Sequence, residues 1–289
     1  MVLPEFQYLV PESLQEACTL LGQHGPGAMV LAGGSDLLVK MKSGRVKPSC
    51  LVSLRRLAEL KGIRHQPGVG VVMGARATLN ELLASPVLRE RYASVCSAAG
   101  TMAGYQTRST GTLGGNLVNA VPSADLPPIL IALDAQVRIV GSAGERLVAL
   151  ENFFLGPGKT VLSPGEILAQ VIIPDQTTTG SHYIKFGLRQ AEALAVVGVA
   201  SAVTVDGDTV REVRIALGAV APTPLRARQA EDILRGQKVS QELIERAGKL
   251  AAAASRPISD IRGGAEYRRH LVAVLTCDSI KIAVEKGHV

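Results

Sequence analysis

The stretch AMVLAGGSDLL, residues 28–38, decides how the chain is organised. Its apolar start predicts a buried strand over 28–31, and the apolar positions after Asp36 predict a short helix over 37–42. The glycines between them allow positive φ angles and a close approach of the backbone to a ligand. Unpaired N–H groups and the dipole of a helix start favour negative charge, so this turn is a candidate phosphate site. Taken alone, the loop has an alternative interpretation as an ordinary connecting turn.

A second glycine loop, TGTLGGN, occupies residues 110–116 and is followed by PSADLPP at 122–128. It adds two hydroxyls, carboxamides and the carboxylate of Asp125 to another run of N–H donors. We expect the two loops to be two halves of one anion site. Asp125 has an alternative role as the cap of the helix that follows Pro127.

Composition places the chain among folded globular proteins. It has 289 residues, 47% of them hydrophobic and 19% charged, which predicts two domains rather than a disordered chain. No secretion signal or membrane-spanning run is evident, so we expect a cytoplasmic protein. The net charge of +6 comes from dispersed cations and aromatics make up only 3%, so nucleic-acid binding is not predicted.

The residues that commonly perform chemistry are scattered. Four cysteines and five histidines form no grouped ligand set, so neither structural zinc nor an iron–sulfur cluster is predicted in this chain. No Ser/His/Asp order stands out either. The sequence therefore predicts no metal ligand and no catalytic side chain.

The order of elements predicts an α+β fold. Residues 1–60 read as a β-α-β-α-β unit with parallel strands, and residues 61–175 as a second lobe with antiparallel hairpins. A polar linker precedes a domain at 180–289, for which we expect a three-stranded antiparallel sheet backed by helices. Capping boxes at Ser13 and Thr78 predict two helix starts.

With these motifs placed, the chain resembles the FAD-binding medium subunits of the molybdenum hydroxylases, the family of xanthine dehydrogenase and aerobic carbon monoxide dehydrogenase. The resemblance extends over essentially the whole chain. It is carried by AGGSDLL at 32–38, TLGGNL at 112–117, the segment 122–127, GPGKT at 156–160, and PISDIR at 257–262 with AEYR at 265–268. It implies a two-lobed FAD-binding domain of the PCMH type followed by a C-terminal domain, with FAD held between the lobes.

The resemblance also implies roles for individual residues. The N–H groups of 33–36 would bind the FAD diphosphate from one side and the second loop from the other. Asp125 would contact the ribityl chain, and Leu168 would lie against the isoalloxazine ring. Lys185 would place a cation near the flavin and raise its potential, the alternative being an exposed lysine. The implied FAD contacts are Leu31, Ala32, Gly33, Gly34, Ser35, Asp36, Leu37, Gly111, Thr112, Gly114, Gly115, Asn116, Asp125, Leu168 and Lys185.

In function, the resemblance implies an electron-transfer flavoprotein, an oxidoreductase subunit. A large partner would carry the molybdopterin cofactor and a small partner two [2Fe-2S] clusters, in a dimer of heterotrimers. Electrons would leave through FAD to NAD, a quinone, oxygen or another carrier. Ser35-Asp36 resembles xanthine dehydrogenase-type subunits, which favours a purine or other N-heteroaromatic substrate. The alternatives are a carbon monoxide dehydrogenase-type subunit, a self-sufficient FAD oxidase and a non-catalytic nucleotide-binding scaffold.

One departure from the family pattern concerns the segment after Arg189. The family commonly has an acid where this chain has Ala193, with Glu192 beside it. An ion pair of Arg189 with such an acid is therefore not assured by the resemblance.

Overall fold

The structure is a computed structural model that describes residues 3–287. The chain begins with a first lobe built on a three-stranded parallel sheet of order β1-β3-β2. Its elements are β1 (Gln7–Leu9), α1 (Leu14–His24), β2 (Ala28–Leu31), α2 (Leu37–Lys42) and β3 (Cys50–Ser53). Because all three strands run the same way, the loops after their carboxyl ends lie along one edge of the sheet. The loop at 32–36 belongs to that edge, and the predicted parallel arrangement is confirmed.

The second lobe is built on a five-stranded antiparallel sheet of order β4-β5-β10-β6-β7. Its strands are β4 (Ile63–Gln66), β5 (Gly70–Gly74), β6 (Gln136–Gly141), β7 (Gly144–Ala149) and β10 (Ile167–Pro174), with a small hairpin of β8 (Phe154–Gly156) and β9 (Lys159–Thr160). Its helices are α3 (Leu79–Ala84), α4 (Pro86–Arg91), α5 (Ala93–Gly100), α6 (Tyr105–Arg108), α7 (Leu113–Val118) and α8 (Leu126–Ala132). Helices α4 and α5 are separate elements, because Tyr92 leaves the helical conformation between them.

The third unit contains β11 (Gly180–Gly187), β12 (Ala195–Asp206), β13 (Thr209–Gly218), β14 (Leu225–Arg226), α9 (Arg228–Leu234), α10 (Gln241–Ala254) and α11 (Ala265–Gly287). Its antiparallel sheet has the order β11-β12-β13-β14, so the expected three strands are joined by a short fourth. Arg226 on this strand donates two hydrogen bonds to Glu231 on α9, at 2.9 and 2.6 Å. That contact anchors the two-residue strand, which has too little pattern of its own to be predicted.

The three units share packed interfaces. Ile167 and Ala169 of β10 are buried in the core of the first lobe. Tyr183 and Ala200 of the C-terminal sheet are buried with the second lobe, whose α8 packs on β12 and β13. None of the helices within residues 3–287 has the length and apolar composition needed to cross a bilayer.

Candidate cofactor-binding site

The first glycine loop presents main-chain donors without protein partners. It connects the end of β2 to the start of α2, and Gly34 adopts a φ of 75°. Within residues 3–287, the N–H groups of Gly33, Gly34, Ser35 and Asp36 donate to no protein acceptor. Four adjacent free donors beside a helix start form a site for an anion.

The two glycine loops are in direct contact. A β-carbon built on Gly33 would lie 1.9 Å from the carbonyl oxygen of Thr110 and 3.2 Å from Cα of Gly111. A β-carbon on Gly111 would lie 3.6 Å from Oγ of Ser35. Only glycine therefore permits this approach at position 33, and the fold brings the two loops to one place.

The second loop corrects our expectation of another run of exposed N–H donors. The N–H of Gly114 donates to the carbonyl of Ala75 at 2.8 Å, and that of Gly115 to Oγ1 of Thr112 at 3.1 Å. The N–H of Asn116 donates to the carbonyl of Thr112 at 3.0 Å. The reason is that this loop is the capped start of α7, which docks on the segment after β5. Gly114 serves that docking, since a β-carbon there would lie 2.8 Å from Cβ of Ala75.

Side chains rather than amides of the second loop offer contacts to a ligand. Oδ1 of Asn116 is buried and has no hydrogen-bond partner among the described residues. A buried carbonyl oxygen without a partner is costly, so its position is best explained by a donor that arrives with a ligand. Thr112 is mostly buried and caps α7 with its hydroxyl.

Asp125 and Lys185 form a buried ion pair. Nζ of Lys185 lies 2.9 Å from Oδ2 of Asp125, and the two side chains are only 8% and 7% exposed. Nζ also donates to the carbonyl of Thr101 at 3.0 Å. The alternative of an exposed lysine is therefore wrong. The capping alternative for Asp125 is wrong as well, because its side chain makes no capping bond to α8.

Tyr183 completes this cluster and was not predicted. Its hydroxyl donates to Oδ1 of Asp125 at 2.7 Å. Gly198, on the neighbouring strand, makes room for that hydroxyl, since a β-carbon there would lie 2.8 Å from it. The signal was present in the sequence, because residues 183 and 185 share one face of a strand.

Burial dominates the electrostatics of the cluster. It raises the pKa of the Asp125 carboxyl, and Lys185 and Tyr183 counteract only part of that rise. Burial, and then the neighbouring carboxylate, raise the pKa of Tyr183 well above its ordinary value. Tyr183 therefore stays neutral and donates a hydrogen bond to Asp125.

The remaining implied contacts have mixed surroundings. Ala32, Leu31 and Leu37 are half-buried around the first loop, whereas Leu168 is 3% exposed and packs within the core of the second lobe. The proposed contact of Leu168 with the isoalloxazine ring stays a prediction. Arg108 is engaged within the second lobe, since its Nη1 donates to the carbonyls of Met102 and Ala103 at 2.8 and 2.7 Å.

The segment after Arg189 does not contain the family's ion pair. Nη2 of Arg189 donates to the backbone carbonyl of Glu192 at 2.7 Å, so the guanidinium binds within its own loop. The Glu192 carboxylate instead lies over Gly104, where a β-carbon would come within 2.4 Å of its Oε1. Glu192 therefore does not replace the missing acid as a partner of Arg189.

The residues present fit a cofactor that carries both phosphate and hydrogen-bond donors. Free amides at 33–36 suit a diphosphate, and the buried Oδ1 of Asn116 suits a ribose, ribityl or flavin donor. No group of three or more His, Cys, Asp or Glu that could hold a metal ion occurs within residues 3–287. The free amides and the unpartnered amide oxygen therefore suit a ligand that carries phosphate groups and hydrogen-bond donors.

Two family models match the chain. Residues 4–176 match the FAD binding domain in molybdopterin dehydrogenase, and residues 182–282 match the CO dehydrogenase flavoprotein C-terminal domain. Together these models define a two-domain flavoprotein class associated with molybdopterin enzymes.

Individual relatives agree with that class over nearly the full length. The carbon monoxide dehydrogenase medium chain of Hydrogenophaga pseudoflava is 37% identical over 93% of this chain and 93% of its own. The putative xanthine dehydrogenase FAD-binding subunit of Escherichia coli strain K12 is 31% identical over 94% of both chains. A solved structure of carbon monoxide dehydrogenase from H. pseudoflava superposes with a TM-score of 0.95 at 35% identity and covers 99% of both chains. The chain belongs to the FAD-binding medium-subunit family of the molybdenum hydroxylases.

Proposed function

We propose that this chain is the FAD-carrying electron-transfer subunit of a molybdenum hydroxylase. The observation that carries the proposal is the set of four free amides at 33–36 facing the second loop, in a chain of this family. When bound, FAD supplies the redox chemistry, and the protein supplies binding, orientation and electrostatics. The absence of an evident nucleophile or general base in the sequence agrees with this division of labour.

The residues of this chain would hold FAD in complementary ways. The amides of 33–36 and the Ser35 hydroxyl would bind the diphosphate through charge-assisted hydrogen bonds, worth about 1.5–3 kcal/mol each. Asn116 would accept a hydrogen bond from the cofactor, while Thr112, Gly114 and Gly115 would shape the facing wall. We assign the glycines to the wall because their N–H groups already donate hydrogen bonds within the protein and are not free to bind a phosphate.

Lys185 and Asp125 would set the electrostatics on the flavin side of the site. Because Asp125 neutralises part of the lysine charge, the raising effect of Lys185 on the flavin potential would be smaller than for an unpaired cation. Tyr183 would fix the carboxylate that holds the lysine in place.

We further propose two partner chains. A large molybdopterin-binding subunit would oxidise the substrate, and a small [2Fe-2S] subunit would conduct electrons to this chain, in a dimer of heterotrimers in the cytoplasm. The medium-chain names of the relatives support the existence of such partners. The preference for an N-heteroaromatic substrate stays a prediction, because the relatives include proteins named for carbon monoxide and for xanthine.

The test is to purify the full chain with and without co-expressed neighbouring chains. We expect yellow flavin absorbance that dithionite bleaches, and copurification with chains that contain molybdenum and iron. Substrate-dependent oxygen consumption by the isolated chain would instead support a self-sufficient oxidase. A colourless chain that binds nucleotides but no flavin would support a scaffold and contradict the proposal.

A further inference from the structure

A cleft of about 310 Å³ lies directly beside the two glycine loops. Ala32 and Gly33 of the first loop and Thr110 and Thr112 of the second contribute to its wall. Three cationic side chains, Arg55, Lys61 and Arg76, line the same cleft. The cleft does not involve Ser35, Asn116 or Asp125, so these cations add to the site already described.

The three cations form no ion pair with a carboxylate in the described part of the chain. Within residues 3–287, none of them lies within 4.0 Å of an acidic side chain. The acid in the cleft wall is Glu81, whose Oε2 already accepts the N–H of Thr78 at 2.6 Å. Burial lowers the pKa of Arg76, Glu81 opposes this, and the nearby charge of Arg55 lowers it further. Like charges gathered in a concave site favour an anion.

The cations are carried by positions that the fold holds in place. Arg55 follows β3, and Lys61 directly precedes the hairpin of β4 and β5. The backbone N–H of Arg76 donates to the carbonyl of Leu60 at 2.8 Å, and its Nη1 donates to the carbonyl of Leu57 at 3.0 Å. The guanidinium of Arg76 is therefore oriented before any ligand arrives, which reduces the ordering cost of binding.

We propose that Arg55, Lys61 and Arg76 form a phosphate-binding cleft next to the glycine loops. The phosphate has two sources: the diphosphate of FAD itself, or a soluble phosphorylated ligand that binds beside the cofactor. The first source rests on the proposed function; the second does not require it. In both cases the guanidinium groups donate paired hydrogen bonds to phosphate oxygens, and Lys61 adds a point charge at the rim.

The test uses inorganic pyrophosphate as the probe, titrated calorimetrically into the full chain with and without FAD, together with the dissociation constant of FAD. We expect Arg76→Met to lower the affinity for the phosphate compound that binds in the cleft about tenfold or more, as for loss of a charge-assisted hydrogen bond. Arg55→Met, at an exposed position, should lower the same affinity about threefold. Its side chain makes no hydrogen bond within residues 3–287, so this variant should fold even if Arg76→Met does not.

The outcomes separate the two sources. If pyrophosphate binds only the FAD-free chain and both variants also lower the affinity for FAD, the cleft holds the cofactor's diphosphate. If pyrophosphate binds the FAD-loaded chain, and the variants lower the affinity for pyrophosphate but not the affinity for FAD, the cleft holds a separate ligand. The proposal is overturned if both variants leave the pyrophosphate and FAD affinities within twofold of wild type. Failure of the unaltered chain to bind FAD would contradict the proposed function alone.

The matched control is Arg64→Met on β4. Arg64 is exposed and does not line the cleft, so its substitution removes the same charge without removing a phosphate contact. We expect its affinities to remain within twofold of wild type. Arg76→Lys, which keeps the charge and loses the planar fork, should restore part of the lost affinity. No restoration together with a lower stability would show a structural role for Arg76 and count against the proposal.

Discussion

At the residue scale, glycines of similar appearance perform different tasks in this protein. Gly33 permits contact between the two loops, Gly34 supplies a positive φ, and Gly114 permits helix docking on Ala75. Only the first two belong to the amide-lined side of the site. The GG pairs at 33–34 and 114–115 are therefore not equivalent, although both suggest phosphate binding by composition.

We predict that Gly33→Ala abolishes FAD retention. Its β-carbon would lie 1.9 Å from a backbone oxygen, which cannot rotate away as a side chain can. The loops would have to separate, at a cost of about 1–3 kcal/mol in unfolding free energy. Flavin content of the purified chain and urea unfolding measure the two effects.

Gly22→Ala provides the control for this substitution. Gly22 lies in α1, and a β-carbon there would meet no atom within 4 Å. Alanine at a helical site should increase stability by about 0.5–1 kcal/mol and leave flavin content unchanged. Equal flavin content in the two variants would contradict the role assigned to Gly33.

A second residue-scale prediction concerns Lys185 and Asp125. Lys185→Met leaves the buried carboxylate without its cation, so it should cost about 3–5 kcal/mol in unfolding free energy at pH 7. Combining it with Asp125→Asn removes the stranded charge and should recover most of that loss. Urea unfolding of the two single variants and the double variant measures the coupling, and purely additive costs would contradict it.

The same pair predicts a pH dependence with a definite sign. The pKa of Asp125 is raised in the folded chain, so the proton is bound more tightly there than in the unfolded chain. This tighter proton binding stabilises the folded chain at pH values below the pKa that Asp125 has in the unfolded chain. The stabilisation is lost as the pH rises through the pKa that Asp125 has in the folded chain. The deficit of Lys185→Met should therefore be smallest at acidic pH and grow with pH. A loss of unfolding free energy in Lys185→Met that does not change with pH would contradict the role of Lys185 as the partner of the Asp125 carboxylate.

At the element scale, short segments depend on contacts outside themselves. The strand β14 has two residues, and Arg226 ties it to α9 through Glu231, which is 1% exposed. Glu231 also accepts the N–H of Ile215 on β13 at 2.9 Å. One buried carboxylate thus joins two strands and a helix, which explains a sheet edge that the pattern of side chains did not predict.

We predict that Arg226→Met destabilises the chain by about 3–5 kcal/mol in unfolding free energy, since it leaves Glu231 charged, buried and without a cation. Arg228→Met, two residues away, is the matched control. Arg228 is 60% exposed and pairs with Glu151 near the surface, so its loss should cost about 0–1 kcal/mol. Denaturant unfolding monitored by circular dichroism compares the two, and similar costs would show that the buried pair has no special role.

At the scale of the whole molecule, the site exists only because two lobes meet. The first loop belongs to a parallel sheet, the second to a helix docked on an antiparallel sheet, and the ion pair joins that lobe to the C-terminal sheet. Lys40 on α2 reaches Asn119 beyond α7, with Nζ 2.5 Å from Oδ1, so the helices that follow the two loops are also tied together. A ligand in this site must therefore act on both lobes.

We predict that FAD protects both loops together in hydrogen exchange. At about one hundred times its dissociation constant, a ligand stabilises the folded chain by about 2.7 kcal/mol. Amides in 33–42 and 112–119 should slow in parallel, whereas riboflavin, which lacks the diphosphate, should leave 33–36 unprotected. Protection by FAD confined to one of the two segments would contradict a site shared between the lobes.

Features that depend on neighbours a few residues apart could be predicted from the amino-acid sequence. The helix over 37–42 begins and ends as predicted, and the capping box of Thr78 and Glu81 forms as its spacing requires. The glycine loop after β2 could be recognised because strand, turn and helix start follow one another directly. Such interactions are encoded locally, so a pattern is sufficient to find them.

The hydrogen-bond partners of groups that lie far apart in the sequence depend instead on how the sheets and helices pack. Gly114 gives its N–H to Ala75 rather than to a ligand, and Asp125 finds Tyr183 and Lys185, 58 and 60 residues away, instead of capping its own helix. Each donor or acceptor has several possible partners along the chain, and the packing of the sheets selects among them. That selection depends on burial and on distances between lobes, which no local pattern specifies.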